Sequence, residues 1–540
     1  VLRTQNQALV VVFKFDRRQL MLQIKGLTIT HRKDLRVILE DFNLVLNDGD
    51  KAVIIGEEGN GKSTLMKWIY DPELTDGYTE CEGIRIIGQE RLGYLPQELP
   101  EKEKAKTVYE YFSETEVFYD KSPKELAAFA KKLGMSTEFY YSTQQMGSLS
   151  GGEKIKAQLV RLLLEEPTVL LLDEPSNDID IETLELLEQL IREWKHIVLF
   201  ISHDETLIEN TANTIIHIEQ IMRKTKSVYT VAHMPYVQYT KERQNRFDKQ
   251  RMQALSDRRE KKIRDEKYRK IMQSVDHAQA VISRQDPEGG RLLKKKMHTV
   301  KSIGKRFERE DENMTKMPEQ EEAIFFKLGN KDAGIPAGKT VLEYSLDELR
   351  TPDGERVLSK DIFLRIRGAE KICIIGTNGA GKTTLFKKIA DDLLDRKDIC
   401  VEYMPQNYEE LLDLDQTPVD FLDDSGEKEK RTMIRTYLGS LKYTADEMEH
   451  PIRELSGGQK AKVLLLKMSL SKANVLLLDE PTRNFSPLSG PVIRKLIADF
   501  PGAVISISHD RKYIDEVCDK VYRLTTQGLT PEAREKESFF

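Results

Sequence analysis

An eight-residue phosphate-loop pattern occurs twice in this chain. Gly56-Glu-Glu-Gly-Asn-Gly61-Lys62-Ser63 returns 320 positions later as Gly376-Thr-Asn-Gly-Ala-Gly381-Lys382-Thr383. Three further segments follow it in one order, each repeated at an offset of 306. They are Leu149-Ser-Gly-Gly-Glu153 with Leu455-Ser-Gly-Gly-Gln459, Val169-Leu-Leu-Leu-Asp173-Glu174 with Val475-Leu-Leu-Leu-Asp479-Glu480, and Ile201-Ser-His203-Asp204 with Ile507-Ser-His509-Asp510. Four elements in one order, twice, imply two copies of one domain.

Each G-x-x-x-x-G-K-[ST] run follows an apolar β-type stretch and precedes an amphipathic helical pattern. In that context backbone N–H groups and a helix N-terminus cradle phosphate, the lysine reaches the outer phosphates and the hydroxyl meets magnesium. The phosphate-binding candidates are Gly56, Gly59, Asn60, Gly61, Lys62, Ser63 and Thr64, and Gly376, Gly379, Ala380, Gly381, Lys382, Thr383 and Thr384. Asp173 and Asp479, at the ends of buried strands, can hold the magnesium environment, while Glu174 and Glu480 can polarise an attacking water. Helix capping would explain one acid alone, but not both acids in both repeats. His203 and His509 each end an apolar run, from which a side chain can reach a terminal phosphate. The Leu-Ser-Gly-Gly segments supply a second anion-binding helix start, at Ser150, Gly151 and Gly152 and at Ser456, Gly457 and Gly458.

These segments together resemble the ATP-binding cassette superfamily. The resemblance implies an α/β fold of two tandem P-loop NTPase cassettes that bind ATP and Mg2+ and hydrolyse ATP at two composite sites. It implies that the cassettes face head to tail within one monomer. One site would then combine Lys62, Gln97, Glu174 and His203 with Ser456–Gly458, the other Lys382, Gln406, Glu480 and His509 with Ser150–Gly152. Gln97 and Gln406, each in a Pro-Gln pair, match the family's magnesium-contacting Q-loop; the expected metal set is Ser63, Thr383, Gln97, Gln406, Asp173 and Asp479. The second copy departs from the family pattern after Glu480. Where the first reads Ser176-Asn-Asp-Ile-Asp180, the aligned segment reads Thr482-Arg-Asn-Phe-Ser486, so the two sites are not expected to be equivalent. From lysine to glutamine the first copy is 11 residues longer, and a loop at 78–89 is the expected site of the addition.

Residues 236–316 break the pattern. They carry 23 Lys and Arg against 13 Asp and Glu, a surplus of ten in a chain whose net charge is −6, and they lack strand alternation. Such asymmetry points to a polyanionic partner. Leu293, Met297, Val300 and Phe307 form a coiled-coil-like seam, so a long antiparallel helical hairpin is expected. The expected first helix is 236–273, the tip 274–290 with Pro287-Glu-Gly-Gly290 finishing the turn, and the second helix 291–316. At about 1.5 Å per residue the first helix would span on the order of 57 Å. Lys294, Lys295, Lys296, Lys301, Lys305 and Arg306 are the expected RNA-phosphate contacts.

The full set of boundaries is an N-terminal extension outside the fold at 1–20, cassette 1 at 21–235, the linker at 236–316, cassette 2 at 317–525 and a tail at 526–540. Two cassettes joined by a basic helical linker resemble the ABC-F proteins, which bind ribosomes rather than membrane permeases. Arg483-Asn-Phe-Ser-Pro-Leu-Ser489, Ser283-Arg-Gln-Asp-Pro287 and Lys294-Lys-Lys-Met-His298 look like the Lsa and Vga antibiotic-resistance group. That resemblance implies ribosome protection against lincosamide, pleuromutilin and streptogramin A drugs. It implies ATP-dependent binding of the bacterial 70S ribosome at its exit site, with the linker against rRNA and P-site tRNA and the tip displacing drug.

A housekeeping ABC-F translation factor is the nearest rival, and the fused ATPase of a membrane transporter a weaker one. No apolar run approaches the roughly 20 residues of a membrane span, and no secretory signal is readable. Cys81, Cys373, Cys400 and Cys518 are scattered, which fits a reducing cytoplasm better than a disulfide framework or a metal knuckle. A DNA-organising ATPase would divide one cassette around its coil, whereas here both motif sets are complete.

Overall fold

The computed structural model describes residues 21–221, 226–281, 287–312, 314–318, 327–329, 334–351 and 353–532. The expected extension, 1–20, lies outside the described residues, as do 282–286 of the linker. The chain divides into two compact units, one of residues 1–236 with 321–540 and one of residues 237–320.

The first unit holds both cassettes. In the first, β1 (Met21–His31), β2 (Val37–Asn47), β3 (Lys51–Ile55), β4 (Thr79–Ile86), β5 (Leu92–Leu95), β6 (Val169–Asp173), β7 (Ile197–Ile201), β8 (Thr214–Ile221) and β9 (Lys226–Ala232) form two sheets. The larger has the order β5-β6-β7-β3-β8-β9, parallel except for the last pair. All five residues of β3, β6 and β7 are buried, as continuous apolar strands covered on both faces must be. The second cassette repeats this with β10 (Thr340–Arg350), β11 (Val357–Arg367), β12 (Lys371–Ile375), β13 (Val401–Met404), β14 (Val475–Asp479), β15 (Ala503–Ile507), β16 (Lys520–Thr525) and β17 (Gly528–Glu532), its larger sheet ordered β13-β14-β15-β12-β16-β17.

Two expectations need correction. The additional segment of cassette 1 is not a loop: Thr79–Ile86 is a strand that pairs antiparallel with β1, making a three-stranded sheet where the described residues of cassette 2 form the pair β10-β11. The C-terminal tail begins later than residue 526, because β17 closes the edge of the second sheet against β16.

The second unit is an antiparallel helical pair. Its first helix, Tyr236–Val281, runs 46 residues and continues eight beyond the expected end at 273. Pro287–Glu312 is the second helix, so Pro287-Glu-Gly-Gly290 opens a helix instead of finishing a turn; proline suits a first helical position, where its missing N–H costs no bond. The expected tip, 274–290, is therefore too wide, since helix extends to Val281 and resumes at Pro287. Tyr268 meets Phe307 edge-on at 5.9 Å, and Arg264 lies 4.5 Å over the Phe307 ring and donates to Asp311 and Glu310. Val300 is buried and Leu293, Met297 and Phe307 are half-buried along the same seam. The six cations expected to contact RNA are all exposed, although Arg306 also pairs with Glu310 at 3.3 Å.

Candidate functional site

Both phosphate loops are wound around their own lysine. Lys62 Nζ donates to the carbonyls of Gly56 at 2.9 Å and Glu57 at 3.0 Å; Lys382 Nζ donates to those of Gly376 at 2.8 Å and Thr377 at 3.0 Å. Gly56 is obligatory: its φ is +148°, and a Cβ there would lie 2.3 Å from the Ile218 carbonyl oxygen. The helices that follow, Lys62–Tyr70 and Lys382–Leu394, begin with no side-chain cap, so their first N–H groups face the loop.

The Leu-Ser-Gly-Gly segments open the helices Gly151–Leu164 and Gly457–Leu470. Each serine sits at the cap in a reciprocal box with the Glu or Gln three residues on, which fixes where the first turn points.

Asp173 ends β6, where Ser63 Oγ donates to it at 2.9 Å and Tyr94 Oη at 3.2 Å. Burial pushes its carboxyl up to about 6 despite these bonds. Asp479 is likewise raised to about 6 by burial, and its Oδ2 and the Tyr403 hydroxyl are buried without a partner among the described residues. An oxygen donor set of carboxylate and neighbouring Ser or Thr hydroxyl suits a hard divalent cation, which would relieve the buried charge. Magnesium therefore fits Asp479 with Thr383, and Asp173 with Ser63.

The two glutamates differ sharply. Burial works to raise Glu174, but the hydrogen bond and charge of His203, followed by Lys62 and Asn177, hold it down at about 2. Gln97 Nε2 donates to it at 3.0 Å and Asn177 Nδ2 at 2.5 Å. Glu480 has the Ser508 hydroxyl at 3.4 Å and the His509 amide at 3.3 Å, and burial with the Asp479 charge pushes it up to about 8. His509 lies 3.8 Å from Glu480 and is lowered to about 4 by burial and the Lys382 charge. Gln406 is not at Glu480; its Nε2 donates across to Asp178 at 3.2 Å.

The cassettes meet through these same segments. A cavity of about 840 Å3 is lined by Lys382 and Thr383 with Glu480 and His509 on one side and by Ser150 and Gly151 on the other. Beside it Asn378 donates from its backbone to Asp180 at 3.2 Å and from its side chain to the Asp178 carbonyl at 2.6 Å, while Arg483 pairs with Asp178 at 2.8 Å. At the opposite site Glu58 accepts from the Gly458 amide, and Lys462 pairs with Glu57 at 2.9 Å. A buried ion pair, Arg494 to Glu205 at 2.6 Å, ties the cassettes away from both sites.

Sequence reasoning missed Asn378, Asp178, Arg483, Glu57 and Glu58. Aligning the two phosphate loops position by position exposes the last two, because Glu58 stands where the other copy has Asn378. The contacts of Asp178 leave no sequence signal, since they join residues some 200 to 300 positions apart.

Known proteins bear on this geometry. The ABC transporter family profile matches residues 39–177 and 359–483. The ribosome protection protein VmlR of Bacillus subtilis is 27% identical over 93% of this chain and 87% of its own length. The ATP-binding protein Uup of Escherichia coli is 28% identical over 88% and 76%, and ABC transporter F family member 5 of Arabidopsis thaliana 24% identical over 90% and 72%. Among solved structures, an RNase-L inhibitor superposes with a TM-score of 0.53 at 17% identity, covering 94% of this chain and 90% of that one. At that identity the likeness concerns the fold.

Proposed function

We propose that this chain, an ABC-F family ATP-binding protein, protects the bacterial ribosome from antibiotics that bind the peptidyl transferase centre. It hydrolyses ATP in its two ABC cassettes. The observation that carries the ribosomal reading is the basic helical pair that lies between them in the chain, whose six cations from Lys294 to Arg306 are all exposed, as contact with a polyanion requires. The similarity to VmlR, a ribosome protection protein, extends over nearly the whole chain and supports it. No helix among the described residues is long and apolar enough to cross a membrane; the feature that weighs against a transporter ATPase is the basic segment 236–316 between the cassettes.

In this reading each nucleotide lies between the phosphate loop of one cassette and the Leu-Ser-Gly-Gly helix start of the other. Lys62 and Lys382 bind phosphate. Magnesium, held by Asp173 with Ser63 and by Asp479 with Thr383, would neutralise phosphate charge. Glu174 and Glu480 orient the attacking water, with His203 and His509 near the outermost phosphate. With ATP bound the chain occupies the exit site, and the linker tip reaches toward P-site tRNA and rRNA to release lincosamide, pleuromutilin or streptogramin A drugs.

Susceptibility testing of a drug-sensitive bacterium expressing the protein decides the matter, alongside co-sedimentation with 70S ribosomes. The intact chain should raise the inhibitory concentration of at least one of these classes, and removal of residues 278–290 should abolish that effect while sparing ATP turnover. Ribosome binding without any protection would instead assign a housekeeping role in translation, and co-purification with membranes a transporter.

A further inference from the structure

The loops that bind phosphate are chemically unequal. Residues 56–63 carry two adjacent acids, Glu57 and Glu58, whereas residues 376–383 carry none. Glu57 is ion-paired with Lys462 at 2.9 Å. Glu58 goes further: its carboxylate accepts from the backbone N–H of Gly458, and a Cβ on Gly457 or Gly458 would lie 3.2 to 3.3 Å from its oxygens. Gly458 is the second residue of the helix Gly457–Leu470, so the Glu58 charge sits at the positive end of that helix dipole.

The matching position of the other loop behaves differently. Asn378 is neutral and is turned aside, donating to Asp178 and Asp180, and the facing helix start at Ser150 and Gly151 lines the open cavity. One Leu-Ser-Gly-Gly helix is therefore free to receive an anion, and the other already holds one supplied by the protein.

A nucleoside diphosphate bound by Lys62 would end within the loop of its own cassette. A third phosphate would extend toward the facing helix start, where the Gly458 amide now meets Glu58. We propose that Glu58 is a specificity-determining residue, which competes with the terminal phosphate for the first turn of Gly457–Leu470 and biases this site toward nucleoside diphosphate over triphosphate. The inference rests on the reading that Lys62 and the Gly457–Leu470 helix start share one nucleotide site. The site built on Lys382 lacks the competitor and takes the triphosphate without displacing a side chain.

The test is equilibrium binding of fluorescent ATP and ADP analogues to the full chain with the second site silenced by Lys382→Ala. In that background the diphosphate should bind at least as tightly as the triphosphate. Adding Glu58→Asn, which installs the residue of the other loop, should tighten triphosphate binding by about tenfold, the scale of one charge-assisted contact, and leave diphosphate binding within about twofold. Glu58→Gln, nearly isosteric, should act in the same direction and serves if the asparagine variant is poorly folded. Equal effects on both nucleotides, or none, would overturn the proposal. Adding Lys62→Ala separately tests the underlying site: it should remove both nucleotides, and if it does not, the site assignment fails rather than the role of Glu58.

Discussion

The imidazole of His203 reaches out of its own cassette: Nδ1 donates to the Phe485 carbonyl oxygen at 2.7 Å, while Nε2 lies 3.3 Å from Glu174 Oε1. His509, its counterpart, has Nδ1 buried with no partner among the described residues. Phe485 belongs to the segment that departs from the family pattern, so the altered sequence and the altered contact coincide. One site thus has a glutamate held ionised by a tethered histidine, and the other a glutamate pushed toward its neutral form.

That difference should appear in turnover. Replacing both glutamates, Glu174→Gln with Glu480→Gln, should lower steady-state ATP hydrolysis by about a hundredfold or more, the usual worth of a positioned general base. The two single variants should not cost equally, because the two glutamates sit in unlike surroundings. Equal rates for the two singles would count against functional asymmetry.

Arg494 and Glu205 are both almost wholly buried, and Lys512 lies 3.3 Å from the same carboxylate. Arg494→Ala leaves a desolvated acid with a weaker partner, and should cost about 3 kcal/mol of stability. Removing both charges with Arg494→Met and Glu205→Gln should cost distinctly less. Chemical denaturation of the two variants measures the difference; a double variant as unstable as the single one would contradict it.

Neutralising Lys294, Lys295 and Lys296 to glutamine addresses the linker. If these exposed cations neutralise RNA phosphates, ribosome affinity should fall and the slope of log affinity against log salt should flatten by about two units. A slope identical to that of the unaltered chain would assign them to a solvated face.

Phe307→Ala removes the edge contact with Tyr268 and the ring beneath Arg264. The loss should be about 2 kcal/mol within the helical pair. Limited proteolysis should then cut the 237–320 unit sooner, with cassette fragments still resistant. Unchanged cleavage would show the pair to be held elsewhere.

Much of the site could be read from the repeated motifs because its chemistry is local. Gly56 to Ser63 and Leu149 to Glu153 each fold around their own backbone, and β6 and β14 announce themselves as buried runs ending in Asp-Glu. What escaped was whatever depends on distant partners. The helical pair was legible from Leu293, Met297 and Val300, but its limits were not. Val281 is exposed and remains helical, and Pro287 is as compatible with the first position of a helix as with a turn. The strand Thr79–Ile86 escaped because only its pairing with Met21–His31 makes it a strand. The pairing of Arg494 with Glu205 carries no periodic signal at all.

Glu174 and Glu480 share one further property: their backbones lie at φ +50° and +51°, in the left-handed region that a residue with a Cβ enters at a cost. Each is held there by its amide, which donates to the last residue of the neighbouring strand, Ile201 at 3.1 Å or Ile507 at 2.9 Å. Glycine would occupy the same conformation unstrained. At these two positions durability and turnover therefore pull in opposite directions: selection for heat resistance alone would drift toward inert chains, and only selection for hydrolysis keeps a carboxylate on a bent backbone.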